Sequence, residues 1–180
     1  PFVMCRDTWR AWNGALVAHW YAPTKNWGDA VNPYLIRQLS GRTVVHENHL
    51  LGEVPDGDVY TVIGIVLQLV KSRNLVVWGT GIVGAGRRVQ VVPKRVCAVR
   101  GPRTRHELLR QGIECPPVFG DPALLMPLFY DPRPVPKRYR LGVIPHYADA
   151  ADPRLERLSG DGEVLVIDIK SGLRSVVDAV

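Results

Sequence analysis

What most constrains the fold of this chain is the alternation of short, almost wholly apolar runs with segments of helical spacing. The runs read as strands at residues 15–20, 42–46, 59–64, 75–78, 95–100, 117–119, 140–144 and 163–167. Helices are expected at 29–39, 65–71, 103–111, 153–158 and from 173 to the end. A strand that is apolar on both sides needs cover on both sides, and helices lying between such strands supply it. The expectation is an α/β fold, a Rossmann-like parallel sheet with flanking helices. The stretch 131–138 interrupts the pattern, because DPRPVPKR sets three prolines among charges and cannot form a regular element. It reads as a stiff linker between a domain at 1–130 and the opening of a second Rossmann-like domain at 139–180. Some 40 residues cannot close a doubly wound sheet, so the second domain is expected to be truncated.

Ligands of open parallel sheets bind outside the carboxyl ends of the strands, so residues that follow a strand are the candidates for chemistry. The segment KNWGDAVNPYLI (25–36) follows the first strand and leads into a helix with Ala30, Tyr34, Leu35 and Leu39 on one side. Asp29 is the expected N-cap and Gly28 the residue that permits a tight turn. Lys25, Asn26, Gly28, Asp29 and Asn32 are candidate substrate-binding residues, because a helix N-terminus offers unpaired N–H groups to an anion or a sugar hydroxyl. Trp27 either stacks on a sugar face or anchors packing.

Further along, GTGIVGAG (79–86) fits the spacing of the dinucleotide fingerprint. That fingerprint needs a helix at its glycines and an acid about 20 residues on. Here β-branched residues and Pro93 follow, and Ala98, Val99 and Arg100 occupy the acid's place. Gly79 and Gly81 are therefore read as a loop that lets backbone approach a ligand. VRGPRT (99–104) ends a strand at Arg100 and opens a helix near Pro102. A guanidinium there can hold a carboxylate or phosphate through two parallel hydrogen bonds, assisted by Arg103, or it can pair with a structural acid such as Asp121. Asp121 itself, ahead of Pro122, reads mainly as a turn residue capping the backbone. His146 ends the first strand of the second domain and is either the candidate to face the cleft from the other wall or a plain hydrogen-bonded spacer.

Composition narrows the partners. Lys plus Arg number 23 against 17 for Asp plus Glu, a net charge of +6 that favours anionic ligands. The cations are scattered and no aromatic-rich signature accompanies them, so nucleic acid is not expected. The longest apolar run, 59–70, contains Gly64 and Gln68 and stops at Lys71, too short and too polar to span roughly 30 Å of hydrocarbon. With no signal-peptide pattern at its start, the chain is expected in the cytoplasm. Peripheral association with a membrane and homo-oligomerisation are both compatible with this. Cys5, Cys97 and Cys115 have no disulfide or metal spacing, and the histidines are dispersed, so neither a zinc site nor a cofactor is expected.

TVIGIVL (61–67), VVWGTGI (76–82), VCAVRGPRT (96–104), VFGDPALLMP (118–127) and LGVIPHYAD (141–149) follow KNWGDAVNPYLI in an order that resembles the polysaccharide pyruvyl transferase family. The resemblance runs from about Asn26 to the C-terminus, and its specificity lies in the series. It implies two Rossmann-like halves facing a cleft, similar to the GT-B glycosyltransferases. It also implies transfer of an enolpyruvyl-derived group from phosphoenolpyruvate to two hydroxyls of a sugar, giving a pyruvate ketal on an exopolysaccharide or cell-wall glycan. Arg100 matches the family's donor-binding arginine. A histidine that follows a Ser-rich turn in the family has no counterpart here.

The chemistry calls for cations on the carboxylate and phosphate, a general acid for the methylene and a base for the hydroxyls. Arg100 with His146 are the catalytic candidates; phosphoenolpyruvate and a glycan or lipid-linked sugar are the expected partners. Two other readings share the architecture: a nucleotide-sugar glycosyltransferase, and a non-catalytic glycan-binding half.

Overall fold

In the computed structural model, residues 6–51, 57–134 and 136–180 are described. Five short strands, β1 (Leu16–Ala18), β2 (Val44–His46), β3 (Val59–Thr61), β4 (Leu75–Trp78) and β5 (Arg95–Ala98), pair in parallel in the order β2-β1-β3-β4-β5. The chain is an α/β protein of Rossmann-like character. Register places Val17 beside both Val45 and Val59, and these three are buried together on one side, with Ala11 of helix α1 (Arg6–Trp12) and Leu50 packed against them. Further across, Leu75, Val77 and Val99 are buried with Leu67, Val70 and Leu108, the last from helix α3 (Pro102–Leu109). The other side buries Ala18 and Ile63 against Val31, Leu35 and Ile36 of helix α2 (Trp27–Ser40). Each fully buried Leu or Val of this kind contributes roughly 2 kcal/mol of transfer free energy.

Helix α2 starts two residues before the expected cap. Asn26, not Asp29, is the N-cap, its side chain accepting the Asp29 N–H, and Asp29 lies in the first turn, where a carboxylate favours the helix dipole. The helix ends at Gly41, whose φ of 67° suits a left-handed cap donating to the Arg37 carbonyl. Pro33 inside the helix has no N–H for the Asp29 carbonyl, and Asn32 Nδ2 reaches that oxygen instead at 3.4 Å.

Asn32 is 1% exposed, and its Oδ1 accepts the Ile63 N–H at 2.8 Å while Nδ2 approaches the Ile63 carbonyl at 3.4 Å. The expected substrate-binding asparagine is thus an internal clasp between α2 and the end of β3. Asn32→Ala leaves the buried Ile63 N–H unpaired and opens a small void, and should lower stability by about 2 kcal/mol. Urea unfolding checks this, and a loss below about 0.5 kcal/mol would contradict the clasp.

Most expected strands are shorter than read, and two expected elements reduce to a single turn or bridge. The helix at 65–71 is a single 3-10 turn, Leu67–Leu69, because Gly64 bends the chain at φ 104° and the Leu67 N–H is taken by the Gly81 carbonyl. The strand at 117–119 is one parallel bridge, Val99 to Phe119. Elements that were not expected include α1, the 3-10 turns Glu47–His49 and Tyr147–Asp149, and the 3-10 segment Pro122–Leu128, which Asp121 caps by accepting the Ala123 N–H at 3.0 Å.

The described residues of 131–140 form no helix or strand; Val135 lies outside them. Beyond this stretch β6 (Leu141–Val143) and β7 (Val164–Val166) make a separate parallel pair, packed with α4 (Pro153–Ser159), and α5 (Leu173–Asp178) returns onto α2. No helix among the described residues is long and apolar enough to cross a membrane. Cys97 and Cys115 are free thiols, and Cys5 lies outside the described residues.

Candidate functional site

The strand order reverses between β1 and β3, and at such a switch point the carboxyl ends part to form a crevice. The turn at 25–29 lies there, but the protein's own groups occupy most of what it offers. The Trp27 N–H donates to the Ile169 carbonyl at 2.9 Å, the Trp27 indole to the Leu173 carbonyl at 3.0 Å, and the Asp29 N–H to Asn26 Oδ1 at 3.2 Å. Trp27 is a packing anchor that ties α2 to the 168–173 segment. Gly28 sits inside the helix, so it supplies no special turn; a Cβ there would lie 3.4 Å from Asn26 Oδ1. Asn26 Nδ2 donates to Thr24 Oγ1 and to Asp29 Oδ2. Burial pushes the Asp29 carboxyl above its ordinary 3.8, against hydrogen bonds from Asn26 and Thr24 that lower it. Lys25 is exposed beside them. Of the expected α2 group, Lys25 and the half-buried Asp29 remain accessible, while Asn26, Gly28 and Asn32 act mainly in structure.

The glycines of the 79–86 loop also differ from expectation. No helix begins at them. The Gly79 N–H donates to the Ala98 carbonyl, the Gly81 N–H to the Gly64 carbonyl, and both glycines are buried. Gly79 has φ 102° and lies against Pro122 and the Val62 carbonyl; Gly81 lies against Thr104 Oγ1 and Arg100 Cβ. Their close approach is to the protein itself, against Pro122, Thr104 and Arg100.

Arg100 stands at the carboxyl end of β5, its N–H on the Thr80 carbonyl at 3.2 Å. Nε pairs with Asp121 Oδ2 at 3.3 Å, and the side chain remains 49% exposed. The pair with Asp121, one of the two sequence readings of Arg100, exists, and no hydrogen bond to Nη1 or Nη2 forms among the described residues. An ion pair this exposed is worth at most about 1 kcal/mol and does not lock the side chain. Immediately beyond, α3 opens at Gly101 and Pro102 with no side-chain cap, and Arg103 is exposed in its first turn. The free donors expected at the start of α2 are found at the start of α3, beside two guanidinium groups. From β1 to β5 is three strand spacings, roughly 14 Å, so Arg100 and the 25–29 turn border one edge without forming one pocket.

His146 follows β6 in the separate strand pair. It is exposed, its Nδ1 accepts the Ala148 N–H at 3.2 Å as a local cap, and its ring lies 4.1 Å from that of Tyr147. No hydrogen bond or ring contact among the described residues joins it to Arg100.

Sequence reasoning missed a cluster of histidines. His19 follows β1, His46 ends β2 and His49 closes the turn after it; parallel pairing of β1 with β2 brings His19 and His46 rings within 5.2 Å and His46 and His49 within 5.5 Å. His19 Nδ1 meets Glu47 Oε1 at 2.5 Å, and His49 Nδ1 meets Asp7 Oδ2 at 3.3 Å. The available signal was position relative to strand ends, since the spacing along the chain is irregular. His46 Nε2 donates to the Trp20 carbonyl at 2.8 Å and Nδ1 accepts the Asn48 N–H at 3.1 Å, a neutral ring bonded on both nitrogens. Among the described residues no group of three or more His, Cys, Asp or Glu is arranged to hold a metal ion.

Burial holds the His46 pKa below its ordinary 6.5, with repulsion from His19 and His49 adding to it and the Trp20 carbonyl opposing it. The unfolded chain therefore takes up this proton first as pH falls. Stability from this group is present above 6.5 and is lost as pH drops toward the folded value. The melting temperature should fall more between about pH 7.5 and about pH 5.5 in the native chain than in His46→Gln. Parallel curves for the two proteins would contradict the assignment.

No protein-family model matches the chain. No solved structure matches it either. An uncharacterized protein of Acanthamoeba polyphaga mimivirus is 29% identical over 159 residues, which cover 85% of this chain and 53% of the viral protein. The chain thus spans about half the length of that relative, and the part they share includes most of the elements described above.

Proposed function

We propose that the chain carries the donor-binding half of a pyruvyl transferase that builds a pyruvate ketal on a sugar of an exopolysaccharide or cell-wall glycan. The observation that carries this reading is Arg100, half exposed at the carboxyl edge with no hydrogen bond to Nη1 or Nη2 among the described residues, beside the uncapped start of α3 and Arg103. Phosphoenolpyruvate bears its carboxylate and its phosphate ester on the same carbon. Arg100 takes one of them through its Nη pair, and the N–H groups of the first turn of α3 with Arg103 take the other. Asp121, pairing with Nε, orients the guanidinium. The sugar then extends along the edge toward Asp29 and Lys25, in a two-domain architecture of the GT-B kind.

The test is phosphate release from phosphoenolpyruvate by the full-length protein that carries this chain, offered β-galactosides and amino sugars as acceptors. Release that requires both substrates supports the proposal. Absence of release over a broad acceptor panel, with binding of UDP- or GDP-sugars in its place, would turn the assignment to a nucleotide-sugar glycosyltransferase.

A further inference from the structure

Between the residues that follow β1 and β2 and the segment 69–74 ahead of β4 runs a groove of about 1160 Å³. Its lining includes His19, Trp20, Tyr21, Glu47, Lys71 and Arg73. We propose that this groove binds the phosphate ester of a sugar, with Lys71 and Arg73 on the phosphate and the His19–Glu47 pair on a sugar hydroxyl. The proposal stands apart from the reading at Arg100, since it uses other residues on other strands.

The built part of the site is the His19–Glu47 pair. The two side chains are 7% and 10% exposed, deep for a pair of titratable groups, and the 2.5 Å contact from Nδ1 to Oε1 fixes the ring. Nε2 of His19 has no partner among the described residues, and the side chain lines the groove. An imidazole held by a carboxylate at one nitrogen presents the other as a directed acceptor or donor, the arrangement a hydroxyl requires. Thr61 lies opposite His19 one strand over, by the register that pairs Ala18 with Tyr60. Its hydroxyl is fully buried with no hydrogen-bond partner among the described residues, though Thr61 does not itself line the groove.

Charge and shape select the rest of the ligand. Lys71 and Arg73 are exposed on the wall of the groove and form no ion pair among the described residues. The carboxylate that lines the groove with them, Glu47, is engaged by His19. Two unengaged cations beside one engaged carboxylate favour an anion. Tyr21, 37% exposed, and Trp20 offer the amphipathic rings on which sugars lie. The volume exceeds the roughly 300 Å³ at which small-molecule sites begin and suits a sugar phosphate better than an isolated ion.

Calorimetric titration of the chain with glucose 1-phosphate, UDP-glucose, inorganic phosphate and methyl glucoside tests this. Either sugar ester should bind at least about tenfold more tightly than both phosphate and the glycoside. Glucose 1-phosphate alone points to a sugar phosphate, and UDP-glucose preferred over it points to a nucleotide sugar. The exposed double variant Lys71→Ala/Arg73→Ala should lose about tenfold in affinity, and Arg100→Ala should bind as the native chain does. The imidazole signals of His19 and His46 should shift on binding while that of His146 stays fixed. Equal affinity for phosphate alone, no binding of either ester, or binding that is lost with Arg100→Ala and kept in the double variant would each overturn the proposal.

Discussion

Replacing Gly79 by alanine should destabilise the protein by about 4 kcal/mol or more, the largest such effect expected among the described glycines. Two causes add. The φ of 102° is one that an L side chain rarely adopts, and the new Cβ would collide with the Pro122 ring and come within 2.9 Å of the Val62 carbonyl. The Val62 oxygen belongs to the backbone just past β3 and cannot move cheaply. Pro122 opens the 3-10 segment capped by Asp121, so relief by displacing it would carry Asp121 away from Arg100. Removing the ring with Pro122→Ala should return about 1 kcal/mol to the Gly79→Ala protein, measured as the coupling in a double-mutant cycle of urea unfolding. Strict additivity of the two substitutions would show that the collision is absorbed elsewhere.

Arg100→Ala should reduce kcat/KM for phosphoenolpyruvate by about a hundredfold to a thousandfold, roughly 3–4 kcal/mol of lost stabilisation for a two-point charged contact. The fold should be unaffected, because the side chain is half exposed and its pair with Asp121 contributes little to stability. Arg100→Lys should recover only a small part of the activity, since an ammonium cannot match the paired donors of a guanidinium. Asp121→Asn keeps an acceptor for the Ala123 N–H and so preserves the cap. It should cost about tenfold by loosening the guanidinium's orientation alone. Steady-state phosphate release at varied phosphoenolpyruvate separates the cases; activity of Arg100→Ala within about threefold of native would remove the arginine from the mechanism.

The sheet was legible in the sequence because its strands are apolar on both faces, as at LVVW in 75–78, where only a buried central strand explains such a run. Helix 65–71 was not, since Gly64 and a backbone bond to Gly81 fix that segment from outside its own periodicity. The residue types at the carboxyl edge were legible too, but their partners were not. Asn32 reads as a polar residue on a helix face, and only the tertiary placement of Ile63 makes it an internal clasp. At the start of α2 the Trp27 N–H is taken by the carbonyl of Ile169, more than a hundred positions away along the chain, a closure that no local pattern encodes. Likewise His19 and His46 meet because β1 and β2 pair in register. Arg100 could be read because a strand end followed by Gly and Pro states both where the residue sits and that the next helix begins uncapped.

The central claim is that an anionic donor binds between Arg100 and the start of α3. Titrating phosphoenolpyruvate into the isotopically labelled chain and following its backbone amide resonances tests this most directly. Saturable shifts should centre on Arg100, Arg103 and Thr104, reach the neighbouring 79–82 loop, and vanish in Arg100→Ala. Shifts confined to the 26–29 turn or to the residues around His19, or no saturable shift at all, would contradict it.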